Sequence, residues 1–202
     1  IVSNQSCLSY KNSTRIINPG EVHYGDSQCW HYTNFYPKTE LLVELYEQMF
    51  YEKKIPVFKE HIIEDIQLYS LLCLFFQSAF QQADKMLIET NMINVLSYLI
   101  QNYTDHTKEY LDLFTDKEII KNSIEYINDS LESNLSLDDL ALNSDLSKFH
   151  FLRVFKNSVG LTPHHYILTQ RIHKAKDLIL NGSSLSDAGL DVGFNDQSHF
   201  IR

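Results

Sequence analysis

The stretch "SKFHFLRVFKNSVG", residues 147–160, has the marks of one helix with a defined start and end. Ser147 is a preferred N-cap residue, and Gly160 supplies the left-handed position that often ends a helix. One predicted face is an ordinary core stripe, made of Phe151, Val154, Phe155 and Ser158. The opposite face combines two apolar side chains with two cations: Phe149, Leu152, Arg153 and Lys156. The spacing predicts that this second group projects into solvent together.

A shorter helix is predicted immediately before it, within "NLSLDDLALNS" at 134–144. Ser136 is the expected cap with Asp139 three positions on, and apolar residues such as Leu140 face inward. Two helices joined by a turn of three or four residues are typical of a helix-turn-helix, whose second helix lies in the major groove of DNA. Arg153 would then contact guanine or phosphate. The alternative is an ordinary bundle helix whose cations are simply solvated.

The same plan recurs later in the chain. "LSLDDLALNSDLSKFHFLR" at 135–153 matches "SSLSDAGLDVGFNDQSHFIR" at 183–202, and each copy ends in Phe, an aliphatic residue and Arg. A helix capped by Thr162, begun by Pro163 and stopped by Gly182 is predicted between them, about 28 Å long. In the second copy we expect a short helix capped by Ser186, a break at Gly193, and a further helix capped by Asp196. Such a spacer would hold two reading helices about one duplex turn apart.

Residues 135–202 resemble the DNA-binding domain of the AraC/XylS family of bacterial transcription regulators. The segments that carry the resemblance are "S…DDLA", "LSKFHFLRVFKNSVGLTPHHYILTQRIHKAKDLIL" and "SLSDAGLDVGFNDQSHFIR". The resemblance implies two helix-turn-helix units that read successive major-groove segments. It places base-facing side chains at Phe149, His150, Leu152, Arg153, Gln197, Ser198, His199 and Arg202. It places phosphate contacts at Lys148, Lys156 and the Thr162 region, and core side chains at Phe151, Phe155, Ala175, Leu178 and Phe194.

The resemblance also implies that the chain is a piece of a longer protein. The family's second reading helix continues past the position of Arg202 to a closing helix, and "IINPGEVHYG" and "CWHYTNFYP" are similar to the end of a cupin-like effector domain. A small molecule would bind there. The expected effector-binding residues are His23, Tyr24, Trp30 and Tyr32, with an aromatic strand core as the competing interpretation of the aromatic ones. His23 alone is weak support for metal, so no metal or cofactor is expected.

Helical periodicity governs the middle of the chain. Gly is absent from 26 to 159 and no Pro lies between Pro56 and Pro163, which favours helices. We predict one helix from Thr39, a second over 58–82 and a third over 84–103. The second is apolar nearly all round at 71–76, where Cys73 is expected in the core, and both it and the third are candidates for a dimer interface. Intrachain packing is the competing use of those surfaces.

The expected fold is therefore mainly α: a remnant of a cupin-like β-barrel at 1–38, linker and dimerisation helices at 39–106, an interdomain linker at 107–114, and a double helix-turn-helix domain at 115–202. In the last of these, a capping box of Thr115 and Glu118 is expected to begin the first helix.

Charge and composition agree with a DNA-binding carboxyl-terminal part. The net charge is −9, yet residues 148–202 carry seven Lys or Arg against four Asp or Glu. Three cysteines without pairing pattern favour a reducing compartment, hence the cytoplasm, and "SLLCLFF" is too short to cross a membrane. We expect a transcription regulator, most simply an activator, with DNA, an effector, a second copy of the chain and RNA polymerase as partners. A cupin-type enzyme or a module without DNA binding is the alternative; no catalytic residue set supports an enzyme.

Overall fold

The computed structural model describes residues 12–18, 21, 32–106 and 117–194. Within these ranges the chain is mainly helical, with eight helices and one two-stranded antiparallel sheet. The described residues form two compact units. The first contains residues up to Asp84 and those from Asn91 to His106, and the second contains Lys85–Thr90 and 117–194. No described helix is both long enough and apolar enough to span a bilayer.

The first unit is built on helices α1 (Thr39–Phe50), α2 (Ile66–Phe80) and most of α3 (Lys85–Tyr103). The predicted helix from Thr39 is confirmed, and its core stripe is buried: Leu42, Leu45, Tyr46 and Met49. The predicted third helix is also confirmed, with Val95, Leu96 and Leu99 buried. The first six residues of α3, Lys85–Thr90, belong to the second unit, and the rest of the helix belongs to the first.

The prediction for the second helix was wrong at its start. Residues 58–65 are not helical, because Ile62–Ile63 form a short strand, β2, that pairs antiparallel with β1 (Thr14–Arg15). Asp65 then caps α2, its carboxylate accepting from the backbone N–H groups of Gln67 and Leu68 at 2.7 and 3.1 Å. An extended β-branched pair followed by an N-cap residue outweighs helical periodicity here.

Helix α2 buries only part of its apolar surface within the described chain. Leu68 and Phe75 are buried, whereas Ile66 is 76% exposed and Leu74 54% exposed. Cys73, expected in the core, is exposed. A helix that packs on only one side leaves such apolar residues at the surface.

The second unit contains α4 (Lys117–Asp129), α5 (Leu137–Asn143), α6 (Lys148–Val159), α7 (Pro163–Leu180) and α8 (Leu185–Asp191). The predicted caps are confirmed at Ser136, Ser147 and Thr162, each of which accepts a hydrogen bond from a backbone N–H in its helix. Gly160 ends α6 with φ of 80°. The expected cap at Thr115 lies outside the described residues.

The spacer helix α7 and the short α8 share a small apolar cluster. Ala175, Ala188, Val192 and Phe194 are buried in it, and Leu178 packs against them. The cap of α8 is Ser184 rather than the predicted Ser186, because the Ser184 hydroxyl both accepts from the Asp187 N–H and donates to the Asp187 carboxylate. With Phe151 and Phe155 fully buried, the expected core positions are confirmed. The helix expected after Asp196 lies outside the described residues.

Candidate nucleic-acid interface

Helices α5 and α6 form the helix-turn-helix that the sequence predicts. Only residues 144–147 separate them, and the N–H of Leu146 donates to the carbonyl of Ala141 at 3.0 Å to close the turn. The turn is also held from below, because the buried hydroxyl of Ser144 lies 2.9 Å from that of Ser123 in α4. This contact ties the turn to α4.

The polar residues of α6 keep access to solvent. Lys156 is exposed in the last turn, and His150 and Arg153 are half-buried. Part of the Arg153 side chain therefore reaches the surface of α6. Its five donors suit either the guanine edge or a phosphate.

Two of the expected base-facing residues are not at the surface. Phe149 is only 5% exposed and Leu152 only 6%, so the prediction that they project into solvent was wrong. Helix α6 contacts α4, α5 and α7, which leaves it a narrower free face than a two-sided pattern suggests. Large apolar side chains gain about 1.5–3 kcal/mol each from burial, which favours the interior for both.

Lys148, expected to contact phosphate, already has acidic partners. Its Nζ lies 2.7 and 2.8 Å from the two carboxylate oxygens of Asp138 in α5. It also lies 3.8 Å from Oε2 of Glu89, in the part of α3 that belongs to the second unit. Glu89 in turn lies 3.8 Å from the ammonium of Lys85. We call these four residues the Lys148 cluster.

The first turn of α7 offers a second polar edge. The hydroxyl of Thr162 lies 2.8 Å from Nδ1 of His165, and Pro163 occupies the start of the helix. Exposed amide groups at such a start attract anions. The predicted phosphate contact of the Thr162 region therefore stays a prediction.

Several predicted site residues lie outside the described residues. These are Gln197, Ser198, His199 and Arg202 of the second copy, and His23, Tyr24 and Trp30 of the effector region. Tyr32 is described and is 69% exposed. Within the described ranges no group of three or more His, Cys, Asp or Glu side chains could hold a metal ion.

Sequence reasoning missed Asp138 and Glu89 as partners of Lys148. The sequence carries a weak signal for Asp138 as a partner. It lies near the start of the helix before the turn, only ten residues from Lys148, and the two helices of a helix-turn-helix pack on each other. Glu89 gives no signal beyond its helical pairing with Lys85, since no local pattern shows which distant residue α3 meets.

Comparison with known proteins gives three findings. A family model described as "Helix-turn-helix domain" matches residues 131–202. An uncharacterized HTH-type transcriptional regulator, YbfI of Bacillus subtilis (strain 168), is 26% identical over 98% of this chain and 76% of its own length. The HTH-type transcriptional activator AarP of Providencia stuartii is 35% identical over 42% of this chain and 63% of its own.

One solved structure is also similar. It is a transcriptional regulator from Chromobacterium violaceum, described among AraC-type DNA-binding domain-containing proteins. It is 28% identical, covers 42% of this chain and 76% of its own, and superposes with a TM-score of 0.40.

Proposed function

The chain belongs to the AraC/XylS family of bacterial transcription regulators, and from this premise we propose that it binds a specific DNA sequence through α6 and a matching helix of the second copy. The observation that carries the proposal is the capped α5–turn–α6 pair, with Arg153 and Lys156 at the accessible side of its second helix. This is the placement that major-groove reading requires.

The proposed contacts in the first copy divide into two kinds. Arg153 and His150 reach base edges, while Lys148, Lys156 and the Thr162 region contact phosphate and set the register. Phe149 and Leu152 leave this set, because both are buried and support α6 from beneath. In the second copy the proposed contacts stay at Gln197, Ser198, His199 and Arg202.

We further propose that a small-molecule effector controls the DNA-binding part and that two copies act together with RNA polymerase as an activator. The support is family membership, the activator among the relatives, and the exposed apolar residues of α2, which suit a second copy. We place the effector near His23, Tyr24, Trp30 and Tyr32, and the protein in the cytoplasm with its DNA. No enzymatic activity is proposed.

The test begins with a duplex selected by the protein from a random-sequence pool. Replacing Arg153 with Ala should weaken binding to that duplex by about 1–3 kcal/mol, roughly five- to 150-fold, because a bidentate base contact is lost. Arg153→Lys should recover only part of it, since an ammonium lacks the planar fork. The matched control is Lys121→Ala, which removes an exposed cation of α4 that pairs with Glu125.

Salt dependence gives the second readout. Affinity should fall steeply with rising salt, because phosphate contacts release counterions. An Arg153→Ala protein that selects and binds the same duplex as tightly as Lys121→Ala would refute this docking.

A further inference from the structure

The Lys148 cluster connects the proposed DNA-binding helix with the first turn of α3. Lys85, Glu89, Lys148 and Asp138 alternate in charge, with separations of 3.8, 3.8 and 2.7 Å. The formal charge of the four is zero. A phosphate approaching Lys148 therefore meets a neutral group rather than two available cations.

Glu89 is the unusual member of the cluster. Its side chain is only 19% exposed, and Oε2 is buried without a hydrogen-bond partner in the part of the chain that the structure describes. A buried carboxylate oxygen held at 3.8 Å from an ammonium is poorly compensated for its lost hydration. Asp138, by contrast, is bonded to Lys148 through both oxygens and lies within the helix-turn-helix itself. The two acids are therefore not equivalent: Lys148 holds Asp138 more closely than Glu89, so the contact with Glu89 is the one that breaks more easily.

The residues around Glu89 show that the first turn of α3 is packed and not merely close. Met86 is 3% exposed and Thr90 is 1% exposed, and both belong to the same compact unit as α6. In that unit Lys148 and Phe149, the first two residues of α6, are respectively ion-paired and buried. The amino-terminal end of the proposed reading helix is thus engaged by protein groups where DNA phosphate would lie.

From this arrangement we propose that Glu89 is an internal competitor of DNA phosphate, and that the first turn of α3 is an autoinhibitory element that lowers the DNA affinity of α6. The proposal rests on the proposed function, because it requires Lys148 to contact phosphate. When Glu89 moves away, the remaining three residues carry a formal charge of +1. Lys148 still holds Asp138 and has donors left for a phosphate oxygen.

The direct test is Glu89→Gln in the full chain, measured against the selected duplex without effector. Removal of this charge should tighten binding roughly three- to tenfold, as expected for a partly screened charge near a phosphate. The plot of log affinity against log salt should also steepen by about one, the slope that one extra phosphate contact contributes. The matched control is Glu125→Gln, which removes one acid from the exposed side of α4 and should change neither readout.

A double-mutant cycle assigns the effect to Lys148. Lys148→Gln alone should weaken binding, and Glu89→Gln should give little further gain in that background, because its target is gone. A gain that persists without Lys148 would instead assign the effect to Lys85 or to general charge, and would overturn the proposal. Melting temperatures of all variants show whether α3 stays packed.

The outcomes separate the two levels of the argument. If Arg153→Ala and Lys148→Gln both leave binding unchanged, the proposed DNA docking fails. If both weaken binding but Glu89→Gln equals Glu125→Gln, only the autoinhibitory contact fails. If Glu89→Gln weakens binding, Glu89 positions Lys148 for DNA and the proposal is wrong.

Discussion

Arg171 of α7 donates from Nε to the backbone carbonyl of Leu131, at 2.8 Å, and so fastens the spacer helix to the loop that follows α4. A second donor, Nη2, reaches the carbonyl of Ser133 at the same distance. One side chain thereby satisfies two loop carbonyls. Helix α7 leads from the first helix-turn-helix to α8, so these bonds hold the middle of α7 against the loop that follows α4.

We expect Arg171→Ala to destabilise the second unit by about 1–3 kcal/mol, because two hydrogen bonds from a charged donor are lost. Arg171→Lys should recover little, since an ammonium cannot span both carbonyls. The matched control is Lys174→Ala, which breaks the exposed pair with Glu132 and should cost about 1 kcal/mol or less. Urea unfolding followed by circular dichroism measures the difference. Equal midpoints for the Arg171 and Lys174 variants would contradict the assigned role.

Gly193 lies against the same loop. Its φ is 90°, and a Cβ placed there would lie 2.8 Å from the carbonyl oxygen of Leu131 and 2.9 Å from that of Glu132. Gly182 has a similar φ of 98° but open space around its Cβ position. Gly193→Ala should therefore destabilise the protein more than Gly182→Ala, because both add left-handed strain but only the first forces backbone apart.

Melting temperatures of the two glycine variants test this comparison. DNA binding gives a second readout, because a shifted loop moves α8 and the helix expected beyond it. Gly193→Ala should lose more affinity for the selected duplex than Gly182→Ala. If Gly182→Ala melts at as low a temperature as Gly193→Ala, the requirement for glycine at position 193 comes from its backbone conformation alone and not from contact with Leu131.

Burial separates Phe149 and Leu152 from the polar residues of α6. Phe149→Ala should lower the free energy of unfolding by about 3–5 kcal/mol and Leu152→Ala by about 2–5 kcal/mol, as for large-to-small changes in a core. Arg153→Ala should weaken DNA binding and should lower the free energy of unfolding by less than either core substitution, because Arg153 is only half-buried. Thermal melting beside DNA titration distinguishes them. If Phe149→Ala melts normally but binds DNA poorly, Phe149 contacts DNA and is not a core residue.

Local signals in the sequence predicted most of the second unit. The caps at Ser136 and Ser147 and the stop at Gly160 depend on residues within one helical turn, so reading them requires no knowledge of the rest of the fold. Local signals did not predict where α2 starts, because the pairing of Ile62 with the distant Arg15 competes with helical periodicity. Helical spacing grouped Phe149 with Leu152, and both are buried. It could not show that this group packs inside, because that depends on how many helices contact α6.

The same distinction applies to the candidate site. The spacing of α6 alone places Arg153 and Lys156 among its solvent-reaching residues, and their contacts with DNA stay a prediction. Glu89 was not predictable, because its approach to Lys148 depends on where the first turn of α3 packs. Contacts between elements distant in sequence require the fold itself.

Asp65 provides a pH test of the first unit. The hydroxyls of Tyr103 and Tyr98 donate to its Oδ2 at 2.7 and 2.8 Å, and the backbone N–H groups of α2 donate to Oδ1. The hydrogen bond from Tyr103, the largest cause, and the others lower the pKa of Asp65 from 3.8 to about 2. Because the folded pKa is depressed, the carboxylate stabilises the fold fully above pH 3.8 and loses that contribution as pH falls toward 2.

Asp65→Asn keeps the shape and the cap but removes the charge, so the wild type should be more stable than the variant at neutral pH. That advantage should shrink between about pH 4 and pH 2, which urea midpoints measured across the range will show. Tyr103→Phe should narrow the advantage at neutral pH, because one donor to the carboxylate is lost, whereas Tyr36→Phe removes a hydroxyl from a residue that is 81% exposed and should not. A stability difference between wild type and Asp65→Asn that stays constant down to pH 2 would mean that the two tyrosines do not hold Asp65 in its ionised form.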